Sequence, residues 1–304
     1  MSTSALVTSG NNGNGHHPKP VAPLRVDLTS AVVSPEAPEA IIPARRQPEQ
    51  LRVTLVIPAM NEENNIEWVL DRVPARVGEI ILVDGHSADN TVELARRARP
   101  DIVVVQQRGR GKGAALRAGF EVATGDVIVM MDSDGSMEPA EITSFVRAVE
   151  QGYEFVKGSR CVAGGGSADL TPVRRLGNRA LTATVNVLFL VPFSDLCYGF
   201  VAFRKDTLER LALTARGFEF ETEIAIHAIK AGLRIAEVPS VESPRRYGTS
   251  NLRAVRDGQR VLRTIARERM SRRSRPVVDC LLPEDLHDLA AVSGELSRPN
   301  ITFY

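Results

Sequence analysis

Two carboxylates one residue apart, Asp132 and Asp134, directly follow a run of apolar residues at positions 127–131. Such a run, bounded by polar residues, is typical of a buried parallel strand, so both carboxylates would lie where that strand ends. Ligands of open α/β sheets bind at this end of the strands. Carboxylate oxygens there favour a hard divalent cation, Mg²⁺ or Mn²⁺, which in turn holds a diphosphate. The pair therefore predicts a metal and diphosphate site.

The chain before this pair alternates strands and helices. Strands are predicted at residues 53–57, 79–83, 102–105 and 126–132, and helical segments lie between them. Continuous apolar strands that alternate with helices predict an α/β fold with a mostly parallel, Rossmann-like sheet covered by helices on both faces. Polar side chains follow all four strands: Asn61, Glu62, Asp84, Arg110, Lys112, Asp132 and Asp134. Because the carboxyl ends of parallel strands share one edge, we expect these side chains to converge.

The composition limits the classes of partner. The chain has 304 residues, of which 43% are apolar and 25% charged, as in an ordinary globular protein. A net charge of +1 and an aromatic content of 5% argue against a nucleic-acid partner. Three widely spaced cysteines, Cys161, Cys197 and Cys280, fit neither a zinc site nor a disulfide framework. With no signal-peptide layout at the N-terminus, we expect a cytoplasmic protein.

Four segments of the chain differ in composition and hydrophobic pattern. Residues 1–50 are rich in Ser, Gly, Asn and Pro and are predicted to be disordered. Residues 51–252 carry the α/β pattern, and residues 253–274 are predicted to form a C-terminal amphipathic helix. Residues 275–304 are predicted to be a flexible tail.

Eight short motifs, in order, resemble the family 2 glycosyltransferases of the GT-A fold, and most closely the dolichyl- or polyprenyl-phosphate sugar synthases. They lie at residues 57–63 (IPAMNEE), 83–91 (VDGHSADNT), 111–115 (GKGAA), 131–134 (MDSD), 158–160 (GSR), 195–200 (DLCYGF), 217–221 (GFEFE) and 245–252 (RRYGTSNL). The resemblance covers residues 52–252, which it identifies as a GT-A glycosyltransferase domain.

The resemblance implies a donor site for a nucleoside-diphosphate sugar. Asp134 would bind the metal, and Asp132 would reach the ribose, or the metal through water. Asp84 would read a uridine or guanosine base, Lys112 would lie near ribose or phosphate, and Arg245 would support the leaving diphosphate. The full donor set is Pro58, Asn61, Glu62, Asp84, Lys112, Asp132, Ser133, Arg245 and Ser250. Two positions depart from the family pattern: Ser136 stands where some relatives have glutamine, and Asn251 where lysine is usual.

The resemblance also implies an acceptor that is itself a phosphate. The planar guanidinium group of arginine can donate two parallel hydrogen bonds to phosphate oxygens. The predicted acceptor set is Arg160, Arg174, Arg175 and Asn178. A phosphate acceptor is already anionic and needs no general base, whereas a hydroxyl acceptor needs one. Asp195 and Glu221 are expected to shape the acceptor site, and the predicted catalytic set is Asp134, Arg245, Asp195 and Glu221.

The predicted activity is metal-dependent, inverting transfer of a hexose from a nucleoside-diphosphate sugar, UDP- or GDP-linked, to polyprenyl phosphate. A soluble hydroxyl acceptor is the alternative within the same class. Two other classes stay open: nucleotidyl transfer that makes the sugar nucleotide, and non-catalytic binding of one. A nucleotidyltransferase should carry its glycine-rich loop after the first strand, whereas residues 109–113 follow the third.

A further segment bears on membranes. Residues 180–191 are unusually apolar and follow an arginine cluster, and five arginines lie between positions 267 and 275. An apolar face with a basic end is typical of peripheral membrane association, here on the cytoplasmic face, but a core helix with a solvated basic tail explains the pattern equally well.

Overall fold

A computed structural model describes residues 50–249 and 254–271, with side chains from Arg256 onward in the second range. The strands are β1 (Val53–Ala59), β2 (Glu79–Asp84), β3 (Val103–Gln106), β4 (Val127–Met130), β5 (Phe155–Ser159), β6 (Gly166–Ser167), β7 (Val201–Arg204), β8 (Ile235–Pro239) and β9 (Val241–Glu242). The helices are α1 (Ile66–Asp71), α2 (Thr91–Ala98), α3 (Lys112–Val122), α4 (Ile142–Glu150), α5 (Pro172–Phe189), α6 (Leu208–Leu211), α7 (Phe220–Lys230) and α8 (Ala254–Met270).

Seven strands form the main sheet in the order β3-β2-β1-β4-β7-β5-β8. Pairing is parallel throughout except on the two sides of β7, which runs antiparallel to β4 and to β5. The carboxyl ends of β1, β4 and β5 therefore point toward the same edge of the sheet. A second, two-stranded sheet pairs β6 with β9.

Both faces of the sheet are covered, because each central strand is apolar on both sides. In β1, Leu55 and Ile57 belong to the core on one face, together with α1, α2 and α4. Val56, between them, belongs to the core on the other face, together with α3, α5, α7 and α8. The predicted architecture, an α/β fold with a mostly parallel sheet and helices on both faces, is confirmed.

The predicted strand positions agree with the structure, with differences at the ends. Pro58 lies inside β1 and pairs with Val83, although we expected it to stop the strand. The pairing of β1 with β4 ends at Val56, two residues before Pro58. The missing N–H of the proline therefore removes no hydrogen bond between these two strands. The antiparallel strand β7 was not predicted.

Two of the four predicted segments lie outside the described residues: the N-terminal segment before residue 50 and the tail at 275–304. The helix α8 lies within the segment predicted to be helical, at 253–274. Within residues 50–249 and 254–271, no helix is both long enough and apolar enough to span a bilayer.

Candidate functional site

A cleft of about 570 Å³ opens at the carboxyl edge of the sheet. It is bounded by the end of β1, the start of α3, the loop after β4 and the residue after β5. Its lining includes ten of the predicted site residues: Pro58, Glu62, Lys112, Asp132, Ser133, Asp134, Arg160, Arg174, Glu221 and Arg245. The convergence expected from the strand ends is thus observed for both the donor set and part of the acceptor set.

Asp134 lies in a network that joins the loop after β4 to the segment after β9. Its Oδ1 accepts hydrogen bonds from the backbone N–H (3.0 Å) and the hydroxyl (2.7 Å) of Ser136. Its Oδ2 lies 3.1 Å from the guanidinium of Arg245, whose other terminal nitrogen contacts Glu62. Ser136 therefore orients the carboxylate, and Arg245 balances two acidic side chains.

Asp132 forms a second network with Lys112 and Glu221. We call Glu62, Lys112, Asp132, Asp134, Glu221 and Arg245 together the donor end, because most of them belong to the predicted donor set. The Lys112 Nζ lies 2.6 Å from Asp132 Oδ1 and 2.6 Å from Glu221 Oε1. Burial alone would lower the pKa of Lys112, but the two carboxylates outweigh it and raise this pKa. Burial raises the pKa of Asp132 to about 6, with Asp134 and Glu221 adding to the rise and Lys112 opposing it.

Two glycines make this arrangement possible. A Cβ at Gly199 would lie 2.5 Å from Glu221 Oε1 and 2.9 Å from the Lys112 Nζ, so a larger residue would separate the pair. Gly111 has a φ of +99°, in the left-handed region that favours glycine. A Cβ there would also collide with the carbonyl of Arg216, which lies just before α7. The close approach of these two backbones brings Glu221 to Lys112.

The donor end fits a divalent cation. Among the described residues, its ion pairs join four carboxylates, Glu62, Asp132, Asp134 and Glu221, to two cations, Lys112 and Arg245. The excess of two negative charges matches the charge of Mg²⁺ or Mn²⁺, and the carboxylate oxygens are the ligands that such hard ions prefer. Asp132 and Asp134 are the residues that would hold the ion.

Asp84 lies outside the lining of the cleft. It is 4% exposed, and it accepts hydrogen bonds from the Ser87 N–H (3.1 Å) and the Gln106 amide (2.9 Å). Burial would raise the pKa of Asp84, but these hydrogen bonds outweigh it and hold the pKa below its ordinary value. Asn61 also lies outside the lining, where its Oδ1 accepts from the Ala88 N–H at 2.8 Å. These two residues thus shape the loops behind the donor end.

The remaining donor residues differ in their placement. The hydroxyl of Ser133 donates to the Pro58 carbonyl at 2.8 Å, which ties the loop after β4 to the end of β1. Burial raises the pKa of Glu62, against the opposing effects of Asn65 and Arg245. Ser250 and Asn251 lie outside the described residues.

Of the predicted acceptor residues, Arg160 is held by two carboxylates. We call Arg160 and Arg174, with the carboxylates that they contact, the acceptor end. Its Nε and one terminal nitrogen donate to Asp195 at 2.6 and 2.9 Å, and the other terminal nitrogen donates to Glu242 at 3.0 Å. The Asn178 amide donates to the same Asp195 at 2.9 Å. Burial would raise the pKa of Asp195, but Arg160 lowers it below its ordinary value. Asp195 is completely buried, so it positions Arg160 and Asn178 from behind the cleft.

Two further arginines were predicted to bind the acceptor. Arg174 lies on the cleft and pairs with Asp169 at 2.9 Å. Arg175 is exposed on the next position of α5 and does not line the cleft. Of the predicted acceptor set, Arg160 and Arg174 line the cleft, whereas Arg175 and Asn178 do not.

Among the lining residues that the sequence analysis did not assign to the site, Asp169, Tyr198 and Glu242 contact the predicted arginines. Tyr198 lies under the Arg160 guanidinium, 4.7 Å from ring centroid to Cζ. It stands inside the 195–200 motif, which was a usable signal. Asp169 and Glu242 stand in none of the eight motifs and follow none of the strands predicted from the sequence, so their positions carried no comparable signal.

Comparisons with known proteins show the family of the chain. The model of the family described as "Glycosyl transferase family 2" matches residues 54–212. The polyprenol monophosphomannose synthase of Mycolicibacterium smegmatis is 35% identical over 69% of this chain and 84% of that protein. The glycosyltransferase AglJ of Haloferax volcanii is 32% identical over 68% of each chain.

A solved structure shares the fold. The glucosyl-3-phosphoglycerate synthase of Mycobacterium tuberculosis, crystallised with Mn²⁺, uridine-diphosphate-glucose and phosphoglyceric acid, superposes with a TM-score of 0.59 at 25% identity. The match covers 74% of this chain and 82% of that one. The family match spans more than half of the chain and includes the β4 carboxylates. This chain therefore belongs to glycosyl transferase family 2 and is a glycosyltransferase of the GT-A fold.

Proposed function

We propose that this chain catalyses the metal-dependent, inverting transfer of a hexose from a nucleoside-diphosphate sugar to polyprenyl phosphate. The observation that carries the proposal is that one cleft is lined by two separate charged groups. The Asp132 and Asp134 carboxylates pair with Lys112 and Arg245, whereas Arg160 and Arg174 pair with other carboxylates. A donor diphosphate and an acceptor phosphate would each meet groups suited to them.

At the donor end, Asp132 and Asp134 would hold Mg²⁺ or Mn²⁺. A bound divalent ion supplies charge neutralisation for the departing diphosphate. Lys112 and Arg245 add positive charge from the protein at the same place. Asp84 would accept a hydrogen bond from a base N–H of uridine or guanosine, which requires the loop that covers it to open, because it lies outside the cleft lining and is 4% exposed. The rest of the proposed donor set is Pro58, Asn61, Glu62, Ser133 and Ser250.

At the acceptor end, an oxygen of the lipid phosphate would attack the anomeric carbon on the face opposite the leaving diphosphate. This line of attack inverts the anomeric configuration. Arg160 and Arg174 would hold the acceptor phosphate, with Asn178 and Asp195 fixing Arg160 and Arg175 adding charge at the rim. Glu242 occupies one guanidinium nitrogen of Arg160, so binding requires the phosphate to replace that carboxylate. Glu221 restrains Lys112 between the two ends.

The names of the relatives support this choice of acceptor. The M. smegmatis protein is a polyprenol monophosphomannose synthase, and a Pyrococcus furiosus protein that is 30% identical over 67% of this chain and 60% of its own length is a dolichol-phosphate mannosyltransferase. The solved M. tuberculosis structure contains phosphoglyceric acid, a small phosphorylated molecule. That observation makes transfer to a soluble acceptor the second candidate.

A lipid acceptor also requires access to a membrane, and α5 offers a surface for it. Apolar side chains on its outward side are 71–75% exposed at Val173, Leu176 and Val187, and Leu190 at its end is 83% exposed. Arg174, near the start of the same helix, lines the cleft. We infer that this face lies in the interface of the cytoplasmic leaflet, with the protein peripheral and the acceptor end of the cleft near the lipid.

The test is the distribution of product between phases. The full chain is incubated with Mn²⁺, polyprenyl phosphate and a radiolabelled sugar nucleotide, with UDP- and GDP-linked hexoses tried in turn. We expect label in the organic extract for one donor, and none when polyprenyl phosphate is left out. Label confined to a water-soluble product would replace the lipid acceptor with the soluble one.

A further inference from the structure

A second cavity, of about 420 Å³, is lined by a concentration of arginines. Its walls come from three parts of the chain: the loop before α3, the loop before α7, and α8. The lining residues are Arg110, Gly111, Arg216, Gly217, Glu219, Arg260, Arg263, Thr264 and Arg267. We call this cavity the arginine pocket.

The arginine pocket has excess positive charge. Five of its nine lining residues are arginines, and only Glu219 is acidic. Within residues 50–249 and 254–271, no carboxylate forms an ion pair with Arg110, Arg216 or Arg263. Like charges that converge in a concave surface repel one another, and a bound anion removes that repulsion.

The helix α8, which carries three of the pocket arginines, is fixed by contacts with α7. Glu268 of α8 lies 2.8 Å from the Lys230 Nζ and 2.9 Å from the His227 Nε2, both on α7. Arg267 lies 3.0 Å from the buried Glu223, also on α7. Because α8 is fixed at these points, its backbone needs little rearrangement to bind a ligand.

The arginine pocket and the sugar-transfer cleft are separate but adjacent. Gly111 lines both cavities, while the next residue, Lys112, extends into the cleft toward Asp132. The arginines Arg110 and Arg216 line the pocket and not the cleft. The proposed donor and acceptor sets therefore leave this second group of cations without a role.

We propose that the arginine pocket is a second anion site that binds a phosphate group carrying two or more negative charges, on either a soluble ligand or an anionic lipid headgroup. Guanidinium groups match phosphate oxygens in geometry and charge, and several can share one phosphate group. This site is independent of the sugar-transfer reaction, so failure of the proposed function would leave it standing.

The soluble arm of the test uses inorganic pyrophosphate as the probe, titrated into the full chain by calorimetry with EDTA present. The pocket variant carries Arg216→Gln and Arg263→Gln. The matched control carries Arg256→Gln and Arg269→Gln, two exposed α8 arginines outside the pocket with the same total charge change. Both variants alter surface positions, and circular dichroism checks that they fold.

The lipid arm measures flotation of the same three proteins with vesicles of phosphatidylcholine, alone and with phosphatidic acid. We expect the pocket variant to lose at least about tenfold in affinity in one arm, and the control to stay within about twofold of wild type. Loss in the pyrophosphate arm alone identifies a soluble ligand, and loss with phosphatidic acid vesicles identifies a lipid headgroup. Equal binding by the pocket variant and the control in both arms would overturn the proposal.

Discussion

Replacing Lys112 by methionine tests whether the donor end is built around an excess of negative charge. The Lys112 Nζ contacts Asp132 and Glu221, each at 2.6 Å, and the side chain is 11% exposed. Lys112→Met keeps most of the side-chain volume but leaves two largely buried carboxylates facing each other. Breaking a buried ion pair by removing one partner costs about 3–5 kcal/mol in unfolding free energy.

The assay is guanidinium denaturation of wild type and variants in EDTA. The matched control is Arg97→Met, which breaks the exposed pair of Arg97 with Glu67 (67% and 41% exposed) and should cost less than about 1 kcal/mol. The double variant Lys112→Met, Glu221→Gln should recover part of the loss, because one of the facing charges is gone. Saturating Mn²⁺ should stabilise Lys112→Met through binding to the native state. The reasoning is refuted if Lys112→Met costs no more than Arg97→Met.

Three further predictions concern activity, pH and membranes. Asp134→Ala should lower turnover by about 10³-fold with the fold retained, because a carboxylate that would hold the metal is lost. The measurement is steady-state kinetics with saturating donor and Mn²⁺, and unchanged turnover would contradict the prediction. Burial raises the pKa of Glu141, which accepts from Ser240, from 4.5 to about 7. The native state thus binds a proton that the unfolded state releases, and stability should fall by at most about 3 kcal/mol as pH rises from 4.5 through 7. Glu141→Gln should remove that slope in denaturation curves, and an unchanged slope would assign it to other groups. Leu176→Asp should weaken flotation of the protein with anionic vesicles. The control is Val122→Asp, which adds the same charge at a 44% exposed apolar position on α3 and should not weaken flotation. Equal effects of the two variants would count against a membrane role for α5.

The first four strands, β1 to β4, could be predicted from the sequence because each contains a largely apolar run. The antiparallel strand β7 could not. Its direction depends on the long connection through α5 between β5 and β7 rather than on local pattern. The first strand was predicted to end at residue 57, whereas β1 continues through Pro58. A proline lacks an N–H, but that loss matters only where a neighbouring strand would accept a hydrogen bond from it.

Many residues of the candidate site could be predicted from the sequence, but the contacts between them could not. Strand ends placed Asp132 and Lys112 near one edge, but nothing local indicates that Lys112 also meets Glu221, 109 residues later. Arg160 was expected to face an acceptor phosphate, yet it already contacts Asp195 and Glu242, which lie 35 and 82 residues away. Such partners are set by how the second half of the chain packs, and sequence periodicity does not report it.

The central claim, that a lipid phosphate oxygen attacks the anomeric carbon from the face opposite the diphosphate, can be measured on the product itself. The full chain is given Mn²⁺, polyprenyl phosphate and a sugar nucleotide labelled with ¹³C at the anomeric carbon, and the purified product is examined by NMR. The account predicts coupling of that carbon to a single phosphorus, in a product that has lost the nucleotide, with the anomeric configuration opposite to that of the donor. An anomeric carbon that shows no coupling to phosphorus, or that keeps the configuration of the donor, would contradict it.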